Sequence, residues 1–418
     1  MATSNPAPAP PHDQQPPGRL LTQRNFVLFW SGQTISKIGN GAYQVALGWT
    51  VYQTTGSAAA MGVLLALNLL PELLLLLVGG TLADRLPRRK VILAADSAAA
   101  LTLLGLAAAA STGRLTFTLL AAAALALGLI SAFYSPAYAA MNQDLLQAGQ
   151  FRKANAFFTA SGNLARLAGP LLAGALYAVG GATTVFAING ASFALAAAAM
   201  MLTRPAHRVA LPEPQSMRRD LADGITYTKR TSWLLLILAI SLVANCLCLA
   251  PYSVLLPGFV YQAGEGVGTL GLLSTVEVAA IVLSSMVIGR LGGRYAAGRS
   301  LLALAACLGM GGIALGLSNG RFSVLFVGAA LVGVGLSFDI IENTLMQTLV
   351  PPHLLSRVYS VNMVFSYALL PVAYAGSGLL ARHLGAPAVL LTGGAALLAL
   401  CACARFHPAT RHLNTVRW

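Results

Sequence analysis

The sequence predicts an all-helical (all-α) membrane protein whose twelve transmembrane helices form two pseudo-symmetric six-helix bundles. Three observations lead to this fold class. Of 418 residues, 57% are hydrophobic and only 9% are charged, whereas a soluble protein carries about 25% charged residues. Apolar segments of about 20 residues, long enough to cross a bilayer, recur along the chain. One charged, proline-containing connection, residues 204–231, divides these segments into two groups of six.

The order of these segments defines the predicted domains. Residues 1–24 contain six prolines and no apolar run, so we expect a disordered cytoplasmic tail rather than a signal peptide. Residues 25–203 and 232–404 form the two bundles. Residues 204–231 form a cytoplasmic linker with an amphipathic helix from Met217 to Lys229, and residues 405–418 form a second cytoplasmic tail. The twelve predicted spans, numbered in chain order, cover residues 25–54, 58–83, 90–112, 115–141, 157–180, 183–203, 232–260, 268–289, 299–318, 321–349, 358–383 and 387–404.

Positive charge is distributed unevenly across the predicted membrane. Of the 26 Lys and Arg residues, 21 fall on the side that carries both termini and three fall on the opposite side. The positive-inside rule therefore predicts that both termini are cytoplasmic. The net charge of +14 then lies beside anionic lipid headgroups, so the expected partner is the lipid bilayer and not nucleic acid.

Residues suited to enzymatic or metal chemistry are not grouped. All five cysteines lie in apolar segments, and the two Cys-x-Cys pairs point their thiols in different directions on a helix, so we expect neither metal ligation nor disulfides. The sequence has no nucleotide-binding glycine loop with Lys and no nucleophile beside a base. We therefore expect no enzymatic activity and no cofactor. We also expect a monomer, although the sequence leaves the oligomeric state open.

An internal repeat supports two related halves. Gly80, Asp84 and Arg85 after span two return 209 residues later as Gly289, Gly293 and Arg294. Four residues at the end of span four recur 205 residues later at the end of span ten, pairing Gly128, Phe133, Met141 and Arg152 with Gly333, Phe338, Met346 and Arg357. Two weakly similar parallel halves are typical of secondary transporters that bind their substrate between the halves.

Several motifs together carry a resemblance to a known family. They are FWSGQTIS at 29–36, LGWTVY at 47–52, TGS at 55–57, GGTLADRLPRR at 79–89, PA at 136–137, ANA at 154–156 and GPLLAG at 169–174. Over nearly its whole length the chain resembles the major facilitator superfamily, and within it the bacterial enterobactin-exporter and macrolide-efflux branch of drug:proton antiporters. This resemblance implies the twelve-helix fold, location in a bacterial cytoplasmic membrane, and export in exchange for protons.

The resemblance also implies a conformational gate. The loop after span two would hold the outward-facing state closed at the cytoplasmic side, and the Gly-Pro motif of span five would seal the interface between the halves. Asp96 and Arg166 lie near the cytoplasmic ends of their spans and join this set, with interhelical pairing as the alternative. Two departures from the branch, Ala99 after Asp96 and Gly293 in place of an acid, weaken the case for a symmetric latch. The gate candidates are Gly80, Asp84, Arg85, Arg88, Asp96, Arg166, Gly169, Pro170 and Gly174.

Acids within the spans are the candidates for proton coupling, because a charge in the bilayer interior is costly unless it faces water or a partner. Asp339 and Glu342 share one face of span ten with Asn343, and two carboxylates so close repel each other unless one of them binds a proton. Glu277 in span eight and Glu72 in span two are further candidates. The alternative for each is helix–helix hydrogen bonding. Lys37 and Glu72 lie at similar predicted depths, about 18 Å from the cytoplasmic side, so a salt bridge between them is also possible.

Polar and aromatic residues on cavity-facing stripes are candidates for substrate contact. Gln33, Lys37, Asn40 and Gln44 align along one face of span one. Aromatic walls with a few polar groups suit large amphipathic ligands, although each such residue is also common in helix packing. The remaining candidates are Tyr134, Tyr138, Asn245, Tyr252, Asn343, Asn362 and Phe365.

These patterns predict a secondary active transporter that exports an amphipathic small molecule, such as a drug, a macrolide or a siderophore-like compound, in exchange for protons by alternating access. Uptake by symport, or transport of phospholipid or lysophospholipid, is the alternative within transport. A membrane sensor that transports nothing is disfavoured, because several charged residues within the spans would then have no role.

Overall fold

A computed structural model describes residues 20–83, 87–146, 150–204, 217–291 and 294–416, and nearly all of them are helical. Ten helices in this part of the chain are long and apolar enough to cross a membrane. The 52-residue helix Phe151–Leu202 counts once among the ten although it contains spans five and six. Span one is also long enough, at 32 residues, but it is more polar. The twelve predicted spans are therefore all present as helices.

The first half of the chain forms five helices, and the fifth of them contains a bend. The bend separates spans five and six at Gly180 and Gly181, and Gly181 has φ 63°, a left-handed conformation that favours glycine. Pro71, Pro136 and Pro170 lie inside spans two, four and five. The helices run Arg24–Thr55, Ala58–Ala83, Arg88–Ser111, Phe117–Leu145 and Phe151–Leu202.

The helices of the second half are interrupted more often. Span seven contains a π-helical turn, Ala244–Leu249, and span ten is interrupted at Ser337. A helix at Met217–Arg230, here called the linker helix, lies where the sequence predicts a short amphipathic helix. The helices of this half run Ser232–Val243 and Ala250–Gln262 (span seven), Val267–Leu291 (eight), Ala297–Gly316 (nine), Phe322–Leu336 and Phe338–Leu349 (ten), Pro352–Tyr367 and Leu370–Leu384 (eleven), Ala386–Ala404 (twelve), and Pro408–Leu413.

The two halves meet at the helix ends that lie opposite the chain termini. We call this contact the seam, and the side that carries Arg24 and Ala404 the terminal side. The Tyr52 hydroxyl donates a hydrogen bond to the Val254 carbonyl oxygen (2.9 Å), and the Trp49 and Tyr261 ring centroids lie 5.3 Å apart. Both contacts join span one to span seven.

Small residues allow the helix backbones to approach closely along the seam. A Cβ atom added to Gly174 in span five would lie 2.8 Å from the Cα of Gly268 in span eight, and one added to Gly271 would clash with the carbonyl oxygen of Pro170. A Cβ atom at Gly378 in span eleven would lie 2.6 Å from the Cα of Ala59 in span two. Within the described ranges, the terminal portions of spans seven, ten and eleven make no comparably extensive contact with the first six spans. The molecule is therefore closed at the seam and open toward the terminal side.

We expect Gly174→Val to loosen the seam, since overpacking a close backbone contact costs about 1–3 kcal/mol. The measurement is thiol crosslinking between Trp49→Cys and Tyr261→Cys, in a background without the native cysteines. Crosslinking should fall in Gly174→Val. It should not change in Gly162→Val, because no atom lies within 4 Å of a Cβ at that span-five position. Equal crosslinking in all three proteins would show that Gly174 does not control the seam.

Candidate functional site

A polar cavity of about 450 Å³ lies in the second half, between spans seven, ten and eleven. Glu342, 5% exposed, lies at its wall. The Asn362 amide donates to one carboxylate oxygen of Glu342 (2.8 Å) and the Ser241 hydroxyl donates to the other (3.1 Å). Both donors are neutral, and no described Lys, Arg or His side chain lies within 4 Å of this carboxylate. The members of the wall that carry polar or aromatic groups are Ser241, Asn245, Phe338, Asp339, Glu342, Asn343, Tyr359, Ser360, Asn362, Ser366 and Tyr367.

Asp339 is exposed to the same cavity, one helical turn before Glu342. The break at Ser337 places Asp339 in the first turn of the helix Phe338–Leu349, where unpaired backbone amides favour negative charge. The Asn343 amide donates to the Asp339 backbone carbonyl (2.8 Å). The sequence placed these three residues on one face of span ten, but it gave no signal for the helix break.

A second cavity, of about 310 Å³, lies between the halves next to the seam. Glu277 of span eight and Gln44 of span one line it. The Tyr252 hydroxyl of span seven donates to the Glu277 carboxylate (2.8 Å). Leu249 lines both cavities, so the two adjoin each other. The structure thus brings Gln44, Tyr252 and Glu277 together across the two halves.

Arg166 of span five lies far from the start of its helix and close to acids of the other half. Its helix begins at Phe151, six residues before the predicted start of span five, so Arg166 is 15 residues, or about 22 Å, from the helix start. Its side chain is exposed and interacts electrostatically with Glu277 and with Asp339. Arg166 therefore faces the acids of the other half.

A hydrogen-bonded network of polar side chains lies within the first half. The Gln33 amide donates to the Asp96 carboxylate (2.9 Å), and the Tyr134 hydroxyl donates to the Gln33 amide oxygen. Asp96 is 1% exposed. Tyr134 and Tyr138 stack with ring centroids 5.4 Å apart. Asp96 is thus engaged within its own half, which is the interhelical pairing that the sequence analysis kept as an alternative to a gate.

The salt bridge between Lys37 and Glu72 is absent from the described part of the chain. The Lys37 ammonium donates to the Tyr138 hydroxyl (2.9 Å) and lies 4.5 Å from the centre of that ring. Glu72 instead lies beside Ser131. Ser131 and Tyr138 are both in span four, seven residues or about 10 Å apart along the helix. The two charged groups therefore contact different levels of span four, although their Cα atoms were expected at similar depth.

Three further cavity candidates have different positions. Asn40 is exposed on span one, and the Asn245 amide donates to the Ser366 backbone carbonyl at the polar cavity (3.3 Å). Phe365 does not line the polar cavity. It lines a separate apolar cleft, because it projects from a face of span eleven that is rotated about 60° from Asn362 and about 100° from Ser366. Its prediction as a cavity residue was wrong.

Comparison with known proteins decides the family. The sequence profile of the Major Facilitator Superfamily matches residues 29–373. The chain belongs to the major facilitator superfamily. The resemblance inferred from the motifs is therefore confirmed, and the protein is a membrane transporter rather than an enzyme.

Individual relatives and solved structures agree with this assignment. The multidrug efflux pump Tap of Mycolicibacterium fortuitum is 28% identical, with 90% of this chain and 94% of the pump aligned. Macrolide efflux protein A of Streptococcus pyogenes is 23% identical, with the same coverage. The crystal structure of a point mutant of the nucleoside transporter NupG has a TM-score of 0.72 at 13% identity, covering 92% of this chain and 99% of that one. A bacterial homologue of the iron transporter ferroportin in its inward-facing state has a TM-score of 0.70 at 17% identity, covering 93% and 100%.

The apolar helices and the bacterial relatives together indicate which membrane holds the transporter. Its helices span a bilayer many times, and the efflux proteins it is similar to are bacterial. We therefore assign it to the cytoplasmic membrane of a bacterium. The twelve-helix fold with two six-helix bundles is that of the superfamily.

The structure describes some of the gate candidates of the transporter and not others. Asp84 and Arg85 fall outside the described residues, and Gly80 lies in the last turn of span two. Arg88 at the start of span three forms an ion pair with Asp144 at the end of span four (2.6 Å) and donates to the Ala140 carbonyl (3.2 Å). This ion pair joins two helices of the same half.

The Gly-Pro motif of span five divides between two contacts. A Cβ atom at Gly169 would lie 2.7 Å from the Cα of Gly41 in span one, which is a contact within the first half. Pro170 and Gly174 instead contact span eight at the seam. One helical face of the motif therefore serves internal packing, and the other lies between the halves.

We expect Arg88→Gln to destabilise the transporter by about 3 kcal/mol, because it breaks the ion pair between Arg88 and the buried Asp144. The side chains of Arg88 and Asp144 are 11% and 6% exposed, whereas those of Arg357 and Asp223, which form a second ion pair at 2.7 Å, are 25% and 46% exposed. Arg357→Gln should therefore cost less than about 1 kcal/mol. The apparent melting temperature of each purified variant in detergent checks this order. A larger fall in melting temperature for Arg357→Gln would contradict the conclusion that the Arg88–Asp144 ion pair stabilises the transporter more than the Arg357–Asp223 ion pair does.

Proposed function

We propose that the chain is a secondary active transporter that exports an amphipathic small molecule across the cytoplasmic membrane in exchange for protons. One observation carries this proposal. Glu342 is nearly inaccessible and accepts hydrogen bonds from two neutral groups, and no described cation lies within ion-pair distance of it. A buried carboxylate without a cation is costly unless it binds a proton or a positively charged ligand.

Competition for these carboxylates would couple the two fluxes. Glu342 and Asp339 share one cavity, and the negative charge of each disfavours ionisation of the other. A proton and a cationic substrate then neutralise the same charges and exclude each other. Proton binding on one side of the membrane releases the substrate, and proton loss on the other side restores the site.

The shape of the molecule supports alternating access. The halves meet at the seam and the polar cavity lies toward the terminal side, which the charge distribution indicates is cytoplasmic. The structure would then be an inward-facing state, like the ferroportin homologue to which it is similar. Closure on the terminal side, with a contribution from Asp84, Arg85 and Arg88, would produce the outward-facing state.

Arg166 would act in this exchange as a counter-charge from the opposite half. Its charge interacts with Asp339 and Glu277, which belong to the two adjoining cavities. A cationic substrate at Asp339 would therefore compete with Arg166 as well as with the proton. This arrangement keeps Asp339 partly neutralised when the cavity is empty of substrate.

The substrate class follows from the cavity and from the relatives. A volume of about 450 Å³ is in the range of sites for drug-sized ligands, about 300–1,000 Å³. Its wall combines carboxylates and amides with Phe338, Tyr359 and Tyr367. The similarity to a multidrug pump and to a macrolide efflux protein favours an amphipathic amine. A monomer is sufficient for this mechanism, because both cavities are formed within one chain.

Proton movement in everted membrane vesicles with an acidic interior tests the coupling. A transported compound should partly dissipate the proton gradient with the native protein and should fail to do so with Asp339→Asn or Glu342→Gln. Glu265→Gln is a matched control, since Glu265 lies in the loop before span eight, outside both cavities. This control should behave as the native protein does.

Other outcomes of the same experiment would change the proposal. Dissipation that survives both cavity substitutions would move the coupling to Glu277 or Glu72. A proton flux of opposite sign would indicate uptake by symport. No flux with macrolides, lipophilic cations or catecholate siderophores would point to a lipid substrate.

The orientation has its own test. Ser111 at the end of span three and Ser356 near the start of span eleven are both exposed and lie at opposite ends of the bundle. In a background without native cysteines, we expect Ser111→Cys to react with an impermeant thiol reagent in intact cells. Ser356→Cys should react only after the cells are opened. The reverse pattern would place the termini outside the cytoplasm.

A further inference from the structure

An apolar cleft of about 210 Å³ lies on the outer face of the second half. We call it the linker cleft, because the linker helix forms one wall and the first helices of spans seven and eleven form the others. Leu235 and Leu242 of span seven and Phe365 of span eleven line it. Leu235 and Phe365 are 44% and 51% exposed, so the cleft opens toward the surroundings of the protein rather than into the polar cavity.

The length of the cleft matches one leaflet of the bilayer. Span seven begins at Ser232, and Leu242, the deepest lining residue, is ten residues or about 15 Å further along the helix. Half of the hydrocarbon core of a bilayer is also about 15 Å thick. An apolar groove of this length, beginning at the membrane surface, suits a single acyl chain.

The surface end of the cleft carries groups that suit a phosphate headgroup. Thr228 is 4% exposed and lines the cleft, and its hydroxyl finds no hydrogen-bond partner among the described residues. A buried hydroxyl without a partner is costly, and an oxygen of a bound ester or phosphate would accept its hydrogen bond. Lys229 and Arg230 follow in the last turn of the linker helix. Both are exposed, and within the described ranges neither forms an ion pair.

We propose that the linker cleft binds one anionic phospholipid from the leaflet on the terminal side. One acyl chain lies between spans seven and eleven, the phosphate lies beside Lys229 and Arg230, and the Thr228 hydroxyl donates to an oxygen of the lipid. The charge of the linker helix favours an anionic lipid over a zwitterionic one.

The bound lipid contacts the same helix that forms the wall of the polar cavity. Val361 and Phe365 face the linker cleft, whereas Asn362, on an adjacent face of span eleven, donates to Glu342. The linker helix is joined to span eleven by the ion pair of Asp223 with Arg357 (2.7 Å). The lipid therefore lies between two elements whose relative position sets the wall of the cavity. This site stands independently of the proposed proton coupling.

Native mass spectrometry of the full-length protein in detergent tests the site. The protein is incubated with equal amounts of phosphatidylglycerol and phosphatidylcholine that carry the same acyl chains. The native protein should retain one phosphatidylglycerol in preference to phosphatidylcholine. Lys229→Ala should reduce this preference about fivefold, the effect of one basic residue at an anionic surface. Thr228→Val, which keeps the side-chain shape, should also reduce retention.

Two further variants make the result specific. Ala239 is an exposed, small residue of the cleft wall, and Ala239→Trp should fill the groove and abolish retention of both lipids. Lys153→Ala removes an exposed Lys from the start of span five and should leave retention unchanged. Equal retention of the two lipids, equal loss in Lys153→Ala, or full retention in Ala239→Trp would each overturn the proposal.

Discussion

The arrangement of the second half depends on the cost of holding a carboxylate away from water. Glu342 is nearly inaccessible and its two oxygens accept hydrogen bonds from Asn362 and Ser241. These donors come from spans eleven and seven, so one side chain of span ten connects three helices. Hydrogen bonds from neutral groups reduce the desolvation penalty but leave the charge itself uncompensated. The same constraint that orders these helices therefore leaves the site ready to accept a proton or a cation.

Charge is distributed differently in the two halves. In the first half, Gln33 donates to one carboxylate oxygen of Asp96, Tyr134 donates to Gln33, and Lys37 donates to Tyr138. In the second half, Asp339 faces the cavity, and no cation of the described residues lies within 4 Å of Glu342. Arg166 is the described cation of the first half that interacts with acids of the second. The acids that line the two described cavities, Glu277, Asp339 and Glu342, therefore all belong to the second half.

The seam shows how small residues determine where the halves make contact. Gly174 and Gly271 leave no room for a side chain between spans five and eight, and Gly378 does the same between spans two and eleven. These contacts lie at the end of the molecule away from the termini. Because backbones that touch there cannot separate without losing close packing, the described conformation opens toward the other end, where the polar cavity lies.

The sequence by itself determined the fold class, the twelve spans and the family, because length, hydropathy and motif spacing are local properties that survive any rearrangement of the helices. It also placed Asp339, Glu342 and Asn343 on one helical face, since a single helix fixes that relation. Only the tertiary structure decided which residues meet across helices. It separated Lys37 from Glu72, turned Phe365 away from the cavity and brought Arg166 toward Glu277 and Asp339. These relations depend on helix rotation, on breaks such as Ser337 and on where a helix begins, and each is set by packing against neighbouring spans rather than by the residues of one segment.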